Sequence, residues 1–117
     1  MVRTFAAVAA TAACSIALGC ATPVPQSKVN SSAAAIQSAE QLGAVDDPRA
    51  AQHLQMARDQ RNRGLSLINA GKNKEAGRML DRAQADAELA YSLAGEANMR
   101  NEAARMLEEI LFLRAKL

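Results

Sequence analysis

Two cysteines are the side chains in this sequence best suited to chemistry, and their positions predict different roles for them. Cys14 lies inside an uncharged stretch, residues 4–18, that is rich in Ala, Val, Ile and Leu, and Cys20 follows Gly19 where that stretch ends. A thiolate is a strong nucleophile, and a small residue before it leaves the backbone open to a peptidase. Gly19 and Cys20 together therefore predict a site of cleavage and of thiol modification.

The element that would present Cys20 is a secretory signal peptide. Arg3 supplies the positive charge that precedes the apolar stretch, and the stretch is too short and too rich in alanine for a permanent membrane span. We expect residues 1–19 to be removed. Removal takes Cys14 away and so excludes the Cys14–Cys20 disulfide that two cysteines in an exported chain would otherwise suggest.

The junction Ile16-Ala17-Leu18-Gly19-Cys20 resembles the lipobox of bacterial lipoproteins. The resemblance implies that Cys20 becomes the mature amino terminus and carries lipid on its sulfur, which leaves no free thiol. Ala21, rather than Asp, after the cysteine implies a lipid-anchored location at the outer membrane, facing the periplasm. With three acyl chains, at roughly 0.8 kcal/mol per buried methylene, such an anchor would be permanent. The alternative is an ordinary secretory signal cut after Ala10-Thr11-Ala12.

A short tether and a first helix are predicted to follow the junction. Pro23 and Pro25 favour extended backbone, so residues 20–27 form the tether and residues 28–117 form an alanine-rich helical domain. Ser27 is the expected cap of the first helix, and Gly43 its expected end. The helix carries apolar residues at helical spacing, namely Val29, Ala33, Ile36, Ala39 and Leu42.

The sequence contains strong signals for both the start and the end of the second helix. Asp47 can cap the free amides while Pro48 suits the first helical position, and Ala70-Gly71 supplies a left-handed end. The apolar stripe of this helix consists of Ala50, Leu54, Ala57, Leu65 and Ile68.

The third helix, from about Lys74, carries two different seams. The first alternates steps of four and three and is almost wholly alanine: Ala76, Leu80, Ala83, Ala87, Ala90 and Ala94. After Gly95 a second seam, the distal stripe, is displaced by two residues and consists of Met99, Ala103, Met106, Ile110, Leu113 and Leu117.

The helix either runs unbroken to residue 116 or kinks at Gly95. An unbroken helix would be roughly 65 Å long and would project beyond the second helix. Its apolar face would then be covered by the first helix, by a second copy or by a partner.

These elements predict an all-α fold. The second and third helices form an antiparallel helical hairpin over residues 48–95, the first helix packs alongside in a three-helix arrangement, and a long C-terminal helix extends from it, all after a cleaved N-terminal signal helix. Without the signal the chain has 13 Lys and Arg against 12 Asp and Glu, a balance that argues against a nucleic-acid partner.

Other polar residues give little support for catalysis or metal binding. His53 is the only histidine and has no second imidazole or free thiol to join it, so no metal and no cofactor is expected. Asp46-Asp47 are interpreted as a helix cap, and Asp86 with Glu88 as a solvated face. No nucleophile is paired with a base, so we expect neither an enzyme nor a small-molecule substrate.

Cations gather around the predicted hairpin turn. They are Arg58, Arg61, Arg63, Lys72, Lys74, Arg78 and Arg82, here called the basic patch. One interpretation is a surface that binds anionic lipid or cell-wall polymer. The interpretation favoured by the spacing is that Asp59, Glu75 and Asp81 neutralise the patch through i,i+3 and i,i+4 pairs along the helices.

Three segments resemble the alanine-rich helical lipoprotein family catalogued as domain of unknown function 4398. They are residues 36–40, the turn at 43–48 and residues 83–90, and the resemblance covers about residues 21–95. It implies a helical periplasmic domain of unassigned activity. The chain departs from the family at Lys72-Asn73-Lys74, where an acidic and aromatic turn is expected. The function expected from these features is a non-enzymatic interaction or scaffolding lipoprotein of the cell envelope, held to a membrane by its lipid and bound to an envelope protein or to itself.

Overall fold

A computed structural model describes residues 22–117, which contain three α-helices and no strand within that range. The helices are α1 (Gln26–Gln41), α2 (Pro48–Asn69) and α3 (Asn73–Ala115). The all-α prediction is thus confirmed for the described part of the chain. The predicted signal peptide and the modification site at Gly19 and Cys20 lie outside the described residues.

The start and end of α2 follow the predicted local chemistry. The Asp47 carboxylate accepts hydrogen bonds from the backbone N–H groups of Arg49 and Ala50, each at 3.0 Å, and Pro48 occupies the first turn. At the other end Gly71 has a φ of 73°, the left-handed conformation that glycine adopts without strain. The tight turn to α3 therefore forms where the sequence predicted it.

The predicted cap of α1 is wrong. The helix begins at Gln26 with Pro25 at the capping position and no side-chain cap, so Ser27 lies inside the first turn. The Pro25 carbonyl instead accepts from the N–H groups of Lys28 and Val29, at 3.0 and 3.1 Å. Proline has no N–H to satisfy and its ring holds φ near helical values, so a helix can start directly after it.

Contacts at the two ends of the helices define their directions. At one end the Asn73 side chain donates to the Thr22 carbonyl at 2.7 Å, next to the turn between α2 and α3. At the other end the Asn98 side chain donates to the Leu42 carbonyl at 3.0 Å. Helix α1 therefore runs parallel to α3 and antiparallel to α2. We call residues 22–98, which these contacts join, the bundle.

The core of the bundle is the predicted alanine seam of α3. All six of its residues, from Ala76 to Ala94, are buried, and Ala87, Ala90 and Ala94 form one cluster with buried residues of α1 and α2. Leu54 and Leu80 are the largest fully buried side chains. Because most of these side chains are single methyl groups, the helices can approach one another closely.

Four buried positions were missed by the apolar pattern, and one of them is Gly77 on α3. Ser32 is buried on α1, where its hydroxyl donates to the Val29 carbonyl at 3.1 Å, and Ala44 is buried in the turn after α1. Gly64 is buried on α2, where an added Cβ would lie 2.8 Å from the Leu80 side chain. Each is small or internally hydrogen-bonded, which explains why hydrophobic periodicity alone did not reveal it.

Helix α3 is continuous through Gly95, so of the two alternatives the unbroken helix is the one found. Its 43 residues span about 65 Å. Every residue from Asn98 to Leu117 is exposed, and this distal half projects roughly 30 Å past the bundle. Because α1 lies alongside the proximal half, it does not cover the distal stripe.

Candidate functional site

The bundle divides the predicted basic patch among three places. Arg58 and Arg61 line a shallow cleft of about 310 Å³ between α1 and α2. Lys72 and Lys74 are exposed at the turn, and Arg63 is exposed on α2. The remaining two cations, Arg78 and Arg82, line a separate groove of about 230 Å³ between α2 and α3. The patch thus surrounds one end of the bundle and does not form a single flat face.

Neutralisation of the patch by neighbouring carboxylates, the favoured interpretation of the spacing, is wrong. Asp59 accepts a hydrogen bond from Gln55 at 3.0 Å, and Asp81 pairs with Lys28 across to α1. Within residues 22–117 no ion pair involves Glu75. Only Asp81 makes its contact with another helix, whereas Asp59 is bound by a neutral side chain of its own helix.

Only one cation of the basic patch forms an ion pair in the described part of the chain. Arg58 donates through Nε and Nη2 to one carboxylate oxygen of Glu40, at 3.0 and 2.6 Å. From residue 58 to residue 82 the chain has seven Lys and Arg against three Asp and Glu. This end of the bundle is therefore electropositive, although the whole chain has a formal net charge of only +2.

The amino-terminal segment reaches the same end. Thr22 accepts from Asn73 at the turn, and Pro25 and Lys28 lie beside Gly77 on α3. Cys20, the predicted lipidation site, lies two residues before Thr22 in the sequence. The predicted site is thus close in sequence to the segment that contacts the turn.

A polar cluster between α2 and α3 corrects the interpretation of Asp86. His53 Nδ1 lies 2.9 Å from Asp86 Oδ1, and Gln60 donates to the other carboxylate oxygen at 2.7 Å. The Asp86 side chain is only 18% exposed, so the prediction of a solvated face is wrong for it; Glu88, which accepts from Gln84, is exposed as predicted. A spacing of seven residues between His53 and Gln60 places both on one face of α2, and this was the available signal.

The hydrogen bonds of this cluster have a structural role, because they join α2 to α3. Both donors come from α2 and the acceptor comes from α3, so the three side chains join the two helices of the hairpin. Within residues 22–117, no hydroxyl or thiol is hydrogen-bonded to His53, and no group of three or more His, Cys, Asp or Glu side chains is placed to hold a metal ion.

The distal stripe is the other exposed feature. Met99 is 67% exposed, Met106 and Leu113 54% each and Ile110 51%. This part of α3 contacts another element through the ion pair of Arg100 with Asp47, at 3.7 Å. The stripe is widened by three further exposed apolar residues, Leu107, Leu111 and Phe112. The Lys116 ammonium lies 4.2 Å from the centre of the Phe112 ring. Contiguous apolar surface of this kind marks an interaction site in soluble proteins.

The distal stripe faces away from the bundle. Ala94, the last residue of the buried seam, and Met99, the first of the stripe, are five residues apart, which corresponds to a rotation of about 140° around the helix axis. Helix α2 therefore lies on roughly the opposite side of α3 from the stripe, whereas α1 flanks the stripe's face nearer the turn, where Lys28 pairs with Asp81. The stripe begins beyond these contacts, so an approaching molecule can cover it without meeting the bundle.

Comparisons with protein-family models, with curated proteins and with solved structures found no match. The resemblance to domain of unknown function 4398 stays a prediction. None of the helices in residues 22–117 has the combination of length and apolar composition required to cross a bilayer.

Proposed function

We propose that this chain is a lipid-anchored lipoprotein of the cell envelope that acts as a non-enzymatic interaction module, held at the periplasmic face of the outer membrane. The observation that carries the proposal is the projecting half of α3, a rigid helix whose apolar face contacts nothing in the described chain. The Gly19-Cys20 junction supplies the anchor, and Thr22 joins that anchor to the opposite end of the molecule. The interaction surface thus begins about 40 Å along α3 from the turn and ends about 65 Å from it.

The anchor is tested by metabolic labelling with palmitate and by membrane fractionation. The wild-type chain is expected to incorporate label and to sediment with outer membranes, whereas Cys20→Ala loses both. Cys14→Ala is the matched control, because Cys14 leaves with the signal peptide and its loss should change neither result. Equal labelling of wild type and Cys20→Ala would overturn the anchor.

The interaction role is tested by crosslinking in intact cells followed by affinity purification. Replacing Met106, Ile110 and Leu113 by Gln removes apolar surface outside the bundle, so the chain should stay folded and anchored while its crosslinked species disappear. The control replaces the exposed residues Asn101, Glu108 and Arg105, on other faces of the same helix, by Gln. An unchanged crosslinking pattern in the stripe variant would overturn the interaction role.

A second candidate function is favoured by the position of the electropositive end. Lys72 and Lys74 lie at the turn to which Thr22 is bound, so a lipid on Cys20 would bring them to the bilayer surface. Basic residues near an anionic surface contribute about 1 kcal/mol each. We infer binding of anionic headgroups, which would add to the lipid anchor and direct α3 away from the membrane.

This candidate is tested with the soluble 21–117 fragment and vesicles containing anionic phospholipid. Binding should decrease as salt rises, and should weaken roughly tenfold in Lys72→Gln/Lys74→Gln. Arg105→Gln/Lys116→Gln makes the same change in net charge at the far end of α3 and should bind like wild type. Equal weakening in both variants would indicate a response to net charge only and would contradict a specific site at the turn.

A further inference from the structure

The distal stripe has the heptad pattern of a two-stranded coiled coil. Its alternating steps of four and three place Ala103, Ile110 and Leu117 at position a, and Met99, Met106 and Leu113 at position d. Isoleucine at a with leucine at d, as in the pair Ile110 and Leu113, favours two parallel strands. The residue types of the exposed seam therefore favour coverage by one further helix that runs in the same direction.

Charges beside the seam select a second copy of the same chain. Position g is occupied by Glu102, Glu109 and Lys116, and position e by Arg100, Leu107 and Arg114. In a parallel pair each g residue faces the e residue five positions later in the partner, so Glu109 of each copy faces Arg114 of the other. The symmetric pair thus contains two opposite-charge contacts of this kind, and Leu107 packs over the stem of Glu102.

An antiparallel pair is disfavoured by the same residues. Its a and d layers can also align, but residues at e then face e, and residues at g face g. Arg100 would face Arg114 twice, and Glu109 would face Glu109. Two favourable contacts, Glu102 with Lys116 and Leu107 with Leu107, do not remove these repulsions between like charges.

The bundle leaves room for this pair. The stripe begins after Asn98, the last residue of the bundle, so the two bundles would lie beside the paired helices without covering residues 99–117. Nearer the turn, α1 flanks this face of α3 through the Lys28–Asp81 ion pair and the groove at Ser92, so the pairing is confined to the distal stripe.

We propose that two copies of this chain pair in parallel through residues 99–117 of α3. The inference rests on the proposed function and names its partner as a second copy, because two chains anchored by their amino termini in one membrane project α3 in the same direction. Nineteen residues form fewer than three heptads, a short seam for dilute solution. Confinement to one membrane raises the effective concentration and supports pairing there.

The test uses disulfide formation in the full-length lipidated chain in its own membrane. Met106→Cys and Leu113→Cys each place one thiol at position d, where parallel partners bring identical residues together, and mild oxidation should give a covalent dimer in both. Glu108→Cys, on the outer face, is the matched control and should remain monomeric, as should the parent chain. An antiparallel pair would instead link Met106→Cys to Ile110→Cys in a mixed population of two tagged copies.

The charge argument has its own variant. Arg114→Glu in the Leu113→Cys background should reduce the disulfide dimer on the order of tenfold, since it converts two attractions into two repulsions. Glu109→Arg together with Arg114→Glu restores opposite charges and should restore the dimer. Absence of a dimer at both d positions, equal crosslinking at Glu108→Cys, or failure of the double variant to recover would each overturn the parallel pair.

Failure of the pair and failure of the proposed function give different results. If no homodimer forms but the Gln variant of the stripe still loses its crosslinked envelope species, the interaction role stands and the second copy is wrong. If Cys20 carries no palmitate, the anchor fails whatever the dimer does.

Discussion

Gly64 is the position on α2 where a larger side chain would strike the partner helix. A Cβ there would lie 2.8 Å from Cδ2 and 2.9 Å from Cγ of Leu80, which is fully buried and cannot move aside into solvent. On α3, a Cβ at Gly77 would meet only the Lys28 and Pro25 side chains, at 3.7 Å or more. The two buried glycines therefore have different roles.

Substituting each glycine by alanine should change stability in opposite directions. Gly64→Ala should lower the free energy of unfolding by about 1 kcal/mol, because an overpacking cost of about 1–3 kcal/mol exceeds the gain in helix propensity of about 1 kcal/mol. Gly77→Ala should raise it by about 0.5–1 kcal/mol, because no such cost opposes the gain. Urea unfolding of the 21–117 fragment measures both, and a shift of the same sign in the two variants would contradict this account.

Asp47 makes the start of α2 sensitive to acid. The pKa of its carboxyl lies below the ordinary value, chiefly because the Ala50 N–H donates to it, and then because of the Arg49 N–H and the Arg49 and Arg100 guanidinium groups. A carboxyl with a lowered pKa in the folded state stabilises the fold above the ordinary pKa, and this contribution is lost as the pH falls below about 4.

We expect Asp47→Asn to reduce the acid dependence of stability. Asparagine can still accept a cap hydrogen bond but does not titrate, so the free energy of unfolding should fall less steeply between pH 5 and pH 2 than in wild type. Thermal unfolding followed by circular dichroism across this range measures the slope. Asp46→Asn is the matched control, since it removes the same charge without touching the cap. A wild-type slope in Asp47→Asn would show that other groups carry the acid response.

At the scale of the helices, α3 consists of one half that belongs to the bundle and one half that does not. A chain ending at Asn98 should therefore unfold within about 0.5 kcal/mol of the full fragment, because every residue removed is exposed. Its helical circular dichroism signal should fall in proportion to the residues lost. A chain ending at Asp86 loses the buried Ala87, Ala90 and Ala94 and should be strongly destabilised. A large loss of stability on cutting after Asn98 would show that the distal half supports the bundle.

Hydrophobic spacing predicted the three helices and both seams of α3, because each seam repeats over several turns. Two features of the helices could not be predicted this way. Continuity through Gly95 was left open, because a single glycine within a helix is tolerated and does not by itself decide between a straight helix and a kink. The start of α1 depends on the Pro25 carbonyl, whereas the sequence offered Ser27 as the more familiar capping residue.

At the scale of the whole molecule, the direction of α1 and the charge of the turn were decided by contacts between residues far apart in sequence. The hydrogen bond from Asn73 to Thr22 and the ion pairs Lys28–Asp81 and Arg58–Glu40 each join different segments. The spacing rules used for ion pairs consider only neighbours within one helix, so they paired Asp81 with the basic patch and not with Lys28 of α1. The modification site at Cys20, by contrast, was predicted entirely from local sequence.

The five-residue step from Ala94 to Met99 places a constraint on chain length within α3. One residue inserted after Gly95 would turn the distal stripe by about 100° around the axis and advance it by about 1.5 Å. Seven inserted residues would lengthen the helix by about 10 Å and return the stripe almost to its original direction. Substitutions that preserve helicity between residues 95 and 98 should therefore be tolerated more readily than insertions or deletions there, so the number of residues in this segment matters more than their identity.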